Sequence, residues 1–144
     1  MIEVSVAFAA KNPGLRSRAV QRAVELVLRG EKIAGGRISC VFVADRRMRS
    51  LNIRYLGHAS TTDVITFPIE NPPSLEAEIY VNVDQARRQA SAYGVTLTNE
   101  LIRLLVHGVL HAVGYDDTRT NQRKKMFVRQ EAYVRRCAVA LRSI

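Results

Sequence analysis

Residues 104–117 have the sequence LLVHGVLHAVGYDD, an apolar run that carries two histidines and ends in glycine, tyrosine and two aspartates. Apolar residues would lie nearly all round a helix formed by 104–113, so we expect that helix to be central and buried. His107 and His111 are four residues apart and therefore project from one helix face, about 6 Å apart along the axis. Gly114 can then end the helix in a left-handed turn.

The two histidines and the aspartates that follow suggest a metal site. A His pair at this spacing can be satisfied by local hydrogen bonds alone, but buried imidazoles need partners, and a carboxylate follows soon after the glycine. Spacing favours Asp117 as the third ligand, with Asp116 as the competing carboxylate, better suited to capping the loop. Two imidazoles and one carboxylate form a three-ligand zinc site with an open position, and they also suit iron, nickel or cobalt.

Working outward, hydrophobic periodicity predicts strands near residues 2–8, 38–44, 64–67 and 78–83 and helices near 15–29, 46–56, 84–93, 98–113 and 119–142. We expect Asp45, Asp84 and Thr98 to be N-caps, Pro68 to stop the third strand and residues 69–75 to form a loop. The whole chain, 1–144, is predicted to be one α+β domain, in which a small mixed four-stranded sheet packs with about five helices. The metal site would lie at the end of the central buried helix.

Composition narrows the class of protein. The 144 residues carry a net charge of +9 and include eighteen arginines but only four lysines. Arginine matches phosphate geometry, which favours a nucleic acid or another polyanion as partner; a soluble domain from an arginine-rich proteome is the alternative. The high apolar content excludes a disordered chain, and no apolar stretch is long enough for a transmembrane helix. Two widely separated cysteines, Cys40 and Cys137, fit reduced thiols in the cytosol.

The run HGVLHAVGYDD resembles the H-G-x-L-H-x-x-G-Y-D-H signature of the YbeY family, the bacterial endoribonucleases that mature ribosomal RNA. A second segment of the family also has a counterpart upstream. The matching residues are LN at 51–52, Tyr55, Gly57, TDV at 62–64 and FP at 67–68. Glu78-Ile79 and Met126 also match, so the likeness covers nearly the whole chain. Two positions depart from the pattern: Asp117 stands where the family usually has a third histidine, and Leu56 where it usually has an arginine.

The resemblance implies a single-strand endoribonuclease that holds one Zn²⁺ per chain on His107, His111 and Asp117. These residues would be catalytic through a metal-bound water, which Asp117, being anionic, should make less acidic. It further implies a cytoplasmic role in maturing the 3′ end of 16S ribosomal RNA and in ribosome quality control. The expected partners are single-stranded ribosomal RNA, the small ribosomal subunit and its assembly factors.

A nuclease needs a basic surface beside the metal, although each single cation has the simpler role of solvating a helix face. The candidate RNA contacts are Arg46, Arg47, Arg49, Arg54, His58, Arg103, Arg119, Arg123 and Lys124, with Lys125 and Arg129 in the same basic cluster. Two other functions compete with this one. Leu56 favours an RNA- or ribosome-binding assembly factor with weak hydrolytic activity. A peptidase is disfavoured, because Gly108 occupies the position where zincin-type proteases carry their general base.

Overall fold

Strands and helices follow one another in the predicted order. The computed structural model describes residues 1–57 and 61–141. The strands are β1 (Ile2–Phe8), β2 (Gly36–Val43), β3 (Val64–Glu70) and β4 (Leu75–Asn82). The helices are α1 (Ser17–Gly30), α2 (Asp45–Leu56), α3 (Val83–Tyr93), α4 (Leu97–Val113) and α5 (Thr120–Ala140). In these ranges no helix is long and apolar enough to cross a membrane.

The four strands form one mixed sheet in the order β1-β2-β4-β3. β2 runs parallel to both β1 and β4, and β3 pairs with β4 in the antiparallel sense. The α+β class with a small mixed sheet is therefore confirmed. β3 lies at one edge, so one of its sides is free to border a groove.

Helix α4 is the centre of the main core. It packs against β3 and β4 and against α1, α3 and α5. Leu101, Leu105 and Val109 on this helix are wholly buried. Burying each such side chain contributes about 1.5–3 kcal/mol. The central, buried helix predicted from the apolar run is thus present, and it carries both histidines to the same edge of the sheet.

Helix α2 covers the opposite face of the sheet. Met48 and Leu51 pack there against Val43 and Ile65 in a second, smaller cluster. Cys40 lies in the main core, where burial raises the pKa of its thiol to about 12, as expected for a small buried hydrophobic residue. The C-terminal end of α2 thereby comes close to the edge strand β3.

Two predicted caps are wrong by two residues. Helix α4 is capped by Thr96, whose Oγ1 accepts from the backbone N–H of Asn99, and not by Thr98. Helix α3 is capped by Asn82 and not by Asp84. In both places several residues of the capping type stand close together, and the tertiary contacts of the preceding segment decide which one is used.

Asp45 is not the cap of α2 but its first residue, and its carboxylate ties three segments together. It accepts from Asn82 Nδ2 at 2.8 Å, from Arg88 Nη2 at 2.7 Å and from Thr61 Oγ1 at 3.4 Å. The Asp84 carboxylate accepts in turn from the backbone N–H of Asp45 at 2.9 Å. Asp84 therefore satisfies a free donor at the start of α2 and not of its own helix.

Pro68 does not end the third strand. β3 continues to Glu70, with a register shift between Pro68 and Glu70, and the predicted loop at 69–75 shrinks to 71–74. A proline is tolerated here because β3 is an edge strand, where a missing N–H does not interrupt a central ladder.

Candidate metal centre

Three side-chain donors meet at the C-terminal end of α4. His107 Nε2 and His111 Nε2 are 3.1 Å apart, and Asp117 Oδ2 lies 3.5 Å from the first and 3.3 Å from the second. Ligands at about 2.1 Å from a tetrahedral zinc ion would be about 3.3–3.4 Å from one another. The three donor atoms therefore form a triangle of the size that a small divalent metal requires.

Hydrogen bonds on the far side of each ring leave both Nε2 atoms as acceptors. His111 Nδ1–H donates to the backbone carbonyl of Tyr115 at 3.0 Å, and His107 Nδ1–H donates to Gln130 Oε1 at 2.6 Å. A neutral imidazole has one donor nitrogen only, so the facing Nε2 atoms both present lone pairs. Two lone pairs and a carboxylate at this separation repel one another, and a cation between them removes the repulsion. The donor set thus fits zinc.

Gly114 ends α4 and lets the chain turn back to the third candidate ligand, Asp117. Its φ of 123° is readily adopted by glycine but strained for other residues. Asp116 is engaged elsewhere, because its carboxylate accepts from the backbone N–H and the Oγ1 of Thr118, both at 2.9 Å. These hydrogen bonds lower the pKa of Asp116. The structure therefore brings Asp117 to the two imidazoles, as the spacing favoured.

Gln130, which no local spacing in the sequence singles out, connects His107 to a partly buried ion network. Its Nε2 donates to Glu131 Oε2 at 3.1 Å, and Arg103 donates to the same carboxylate at 2.9 Å and to Glu100 at 2.9 Å. Burial lowers the pKa of Arg103, but the hydrogen bonds to Glu131 and Glu100 outweigh it and raise the pKa. Arg103, a candidate RNA contact, is thus committed to two carboxylates inside the protein.

Gly108 allows α4 to lie directly against the sheet. A Cβ at this position would come within 2.7 Å of Ile79 Cγ2 and 3.2 Å of Thr66 Oγ1. Thr66 Oγ1 also donates to the Gly108 carbonyl at 3.0 Å. A side chain at 108 would therefore point into the sheet and away from the metal ligands. No general base can be supplied from this position, which supports the argument against a zincin-type peptidase.

A groove of about 580 Å³ opens beside His111. Its walls come from the end of α2, from residues 61–62 and from the edge strand β3. In the part of the chain that the structure describes, its lining contains no lysine or arginine; the lining residues are Asn52, Leu56, Thr61, Thr62, Val64, Ile65, Thr66, Pro68 and His111. Leu56, which stands in place of the family arginine, is 48% exposed at this groove.

The other candidate RNA contacts are not part of the described lining of this groove. The arginines of α2 and the cations at the start of α5 are all exposed, whereas His58 falls outside the described residues; the exposed set is Arg46, Arg47, Arg49, Arg54, Arg119, Arg123, Lys124 and Lys125. Arg129 is paired with Glu31, its Nε donating to the carboxylate at 2.9 Å.

An α+β domain with two imidazoles and a carboxylate converging beside an open groove has the layout of a metal-dependent hydrolase. Comparison with known proteins agrees with that class. The family model described as Endoribonuclease YbeY matches residues 9–138. Two curated proteins named Endoribonuclease YbeY are similar: one from Chloroherpeton thalassium is 37% identical over 80% of this chain and 82% of its own length. The other, from Halalkalibacterium halodurans, is 40% identical over 72% and 74%.

The fold has a solved counterpart as well. A solution structure of a Thermotoga maritima protein superposes with a TM-score of 0.69 at 26% identity, covering 97% of this chain and 92% of its own. The chain belongs to the endoribonuclease YbeY family, as the histidine signature predicted.

Proposed function

We propose that this protein is a zinc-dependent endoribonuclease that cleaves single-stranded ribosomal RNA. The cellular role we propose is maturation of the 3′ end of 16S ribosomal RNA and ribosome quality control in the cytoplasm, with the small ribosomal subunit and its assembly factors as partners. One observation carries the proposal: three metal donors lie 3.1–3.5 Å apart at the mouth of a groove, in a chain of an endoribonuclease family.

The protein's own residues would prepare the site in two ways. His107 and His111 are held by their Nδ1 hydrogen bonds with both Nε2 lone pairs turned inward. Asp117 adds one negative charge, so a Zn²⁺ site with two neutral imidazoles keeps a net charge of +1, which attracts a phosphodiester. A bound zinc ion supplies a water of lowered pKa and a Lewis acid for a phosphoryl oxygen.

The groove suits an unpaired nucleotide better than a run of phosphates. Its described lining offers the hydroxyl group of Thr62, the hydroxyl oxygens of Thr61 and Thr66 as acceptors, and the apolar surfaces of Leu56 and Pro68. Unstacked bases and ribose hydroxyls are recognised by such contacts, whereas a paired helix keeps its bases stacked inside. The exposed cations of α2 and α5 would add long-range attraction for the RNA backbone.

The uncharged groove also favours a second function. Without an arginine at position 56, the transition-state charge has one fewer cation beside it, which would slow hydrolysis. A metal-stabilised RNA- or ribosome-binding assembly factor with weak nuclease activity would have the same metal centre and the same basic helices. The endoribonuclease would cleave the RNA at its zinc site, whereas the assembly factor would bind the RNA and cleave it weakly.

The deciding experiment compares wild type, His111→Ala, Asp117→Asn and the matched control Asp116→Asn. Zinc content is measured by elemental analysis, and cleavage is measured on single-stranded ribosomal RNA fragments and on a duplex of the same sequence. We expect about one zinc per chain and single-strand cleavage in wild type and Asp116→Asn, and loss of both in the two ligand variants. Equal zinc content in all four proteins would refute the site. Equal cleavage in all four would refute the nuclease, and RNA binding without cleavage would favour the assembly factor.

A further inference from the structure

Glu31, the residue that follows α1, lies at the meeting point of three distant segments. Its side chain is only 8% exposed. The carboxylate accepts hydrogen bonds from Tyr115 Oη at 2.7 Å, from Tyr133 Oη and from Arg129 Nε at 2.9 Å. Burial raises the pKa of Glu31, but these hydrogen bonds outweigh it and lower the pKa. Hydrogen bonds to an ionised acceptor are about twice as strong as neutral ones.

One of the three donors belongs to the turn that carries the metal ligands. Tyr115 stands between His111 and Asp117, and its backbone carbonyl is the group that accepts from His111 Nδ1. Its backbone N–H donates to the Leu110 carbonyl at 3.0 Å, which closes the end of α4. The side chain of Tyr115 leaves the turn in the other direction and reaches Glu31. A shift of this residue would therefore move both the hydrogen bond that orients one ligand and the path to another.

The other two donors connect Glu31 to α5. Tyr133 is almost wholly buried, and the guanidinium carbons of Arg129 and Arg136 lie 5.2 and 5.3 Å from the centre of its ring. This half of the cluster packs α1 against α5, and in the described structure it forms no hydrogen bond or ion pair with any of the three candidate metal ligands. Glu31 thus has one bond that reaches the ligand turn and others that serve the scaffold.

We propose that Glu31 is a positioning residue for the metal centre. Through Tyr115 it holds the turn at 114–117 so that the Tyr115 carbonyl fixes His111 and Asp117 returns to the two imidazoles. The inference rests on the metal centre of the proposed function and assigns to that centre an anchor 84 residues away in sequence. Outer hydrogen bonds of this kind govern metal affinity, because they hold the ligands in the binding geometry before the metal arrives.

The test uses two tyrosine variants that each remove one hydroxyl from the same carboxylate. Tyr115→Phe removes the bond from the ligand turn, and Tyr133→Phe removes the bond from the scaffold while keeping its ring. Zinc affinity of the full-length protein is measured by competition with a chromophoric chelator, and the visible absorption of the Co²⁺ form reports the ligand geometry. Urea unfolding of the metal-free proteins measures how much each variant loses in stability.

We expect Tyr115→Phe to bind zinc about 10-fold more weakly and to alter the Co²⁺ spectrum, with Tyr133→Phe keeping the wild-type affinity and spectrum. Glu31→Gln, which retains an acceptor oxygen, should fall between the two. Wild-type affinity in Tyr115→Phe, or equal losses in the two tyrosine variants, would overturn the inference while leaving the metal centre in place. Absence of zinc binding by the wild-type protein would instead overturn the proposed function and the anchor with it.

Discussion

Replacing Gly108 by alanine tests whether the close approach of α4 to the sheet is required. Alanine is the better helix former by about 0.8–1.0 kcal/mol, so propensity alone predicts a gain in stability. The added Cβ, however, would lie 2.7 Å from Ile79 Cγ2, which is well inside contact distance. Ile79 is wholly buried and β-branched, so its methyl group cannot rotate away. Overpacking of this kind costs about 1–3 kcal/mol.

The clash outweighs the propensity, and we expect Gly108→Ala to lose about 1 kcal/mol of unfolding free energy. The measurement is urea unfolding of the metal-free protein, with the midpoint compared at constant slope. Zinc affinity should fall as well, because moving α4 away from β4 would shift His107 and His111 relative to Asp117, which lies in the loop after the helix.

The variant Ile79→Ala provides the control, because it removes the Cγ2 atom that the new Cβ would meet. In that background Gly108→Ala should cost clearly less, since only the looser contacts at 3.2 Å to Thr66 Oγ1 and 3.3 Å to Val64 Cγ2 remain. The difference between the two backgrounds is a coupling between neighbours that independent sites do not show. The reasoning is refuted if Gly108→Ala stabilises the wild-type protein, or if it has the same effect in both backgrounds.

Three further predictions concern charge. Hydrogen bonds from Arg88 hold the pKa of Asp45 at about 2 against an ordinary 3.8. The ionised Asp45 therefore stabilises the fold above about pH 4, and this stabilisation is lost as the pH falls towards 2. In urea unfolding of the metal-free protein at a series of pH values, wild type should lose on the order of 1 kcal/mol over this range, and Asp45→Asn should not show that loss. Arg103→Ala should lose about 3 kcal/mol of unfolding free energy, because the buried Glu100 keeps its hydrogen bond from Gln89 but loses its cation. The exposed Arg87→Ala should lose less than about 0.5 kcal/mol in the same assay. Leu56→Arg should bind single-stranded RNA more tightly, with the slope of log affinity against log salt steeper by about 0.7; an unchanged slope would place position 56 away from the phosphates.

The convergence of the three candidate metal ligands could be predicted because they are close in sequence. His107 and His111 need only the pitch of a helix to meet, and Gly114 brings Asp117 back within a few residues. The order of the elements was equally accessible, since apolar periodicity records which face of each element is buried. These features depend on neighbours in sequence, and sequence patterns describe neighbours well.

The missed features depend on distant partners. Gln130 reaches the site from α5 and Glu31 from the end of α1, and no spacing in the sequence relates them to the histidines. Arg103, one turn before His107, is among the candidate RNA contacts, but it pairs with Glu100 three residues before it on α4 and with Glu131, which becomes its neighbour only in the folded chain. A count of charged residues gives the net charge of the protein, but it does not show which of its arginines are paired with carboxylates.

The proline in β3 has a consequence for solubility. An outer strand offers unpaired backbone N–H and C=O groups to which a second chain can add, which is a common start of aggregation. Pro68 has no N–H to offer, and the register shift between Pro68 and Glu70 breaks the regular spacing that an incoming strand would need. The strand that forms one wall of the groove can therefore stay open to a substrate without recruiting another copy of the protein edge to edge.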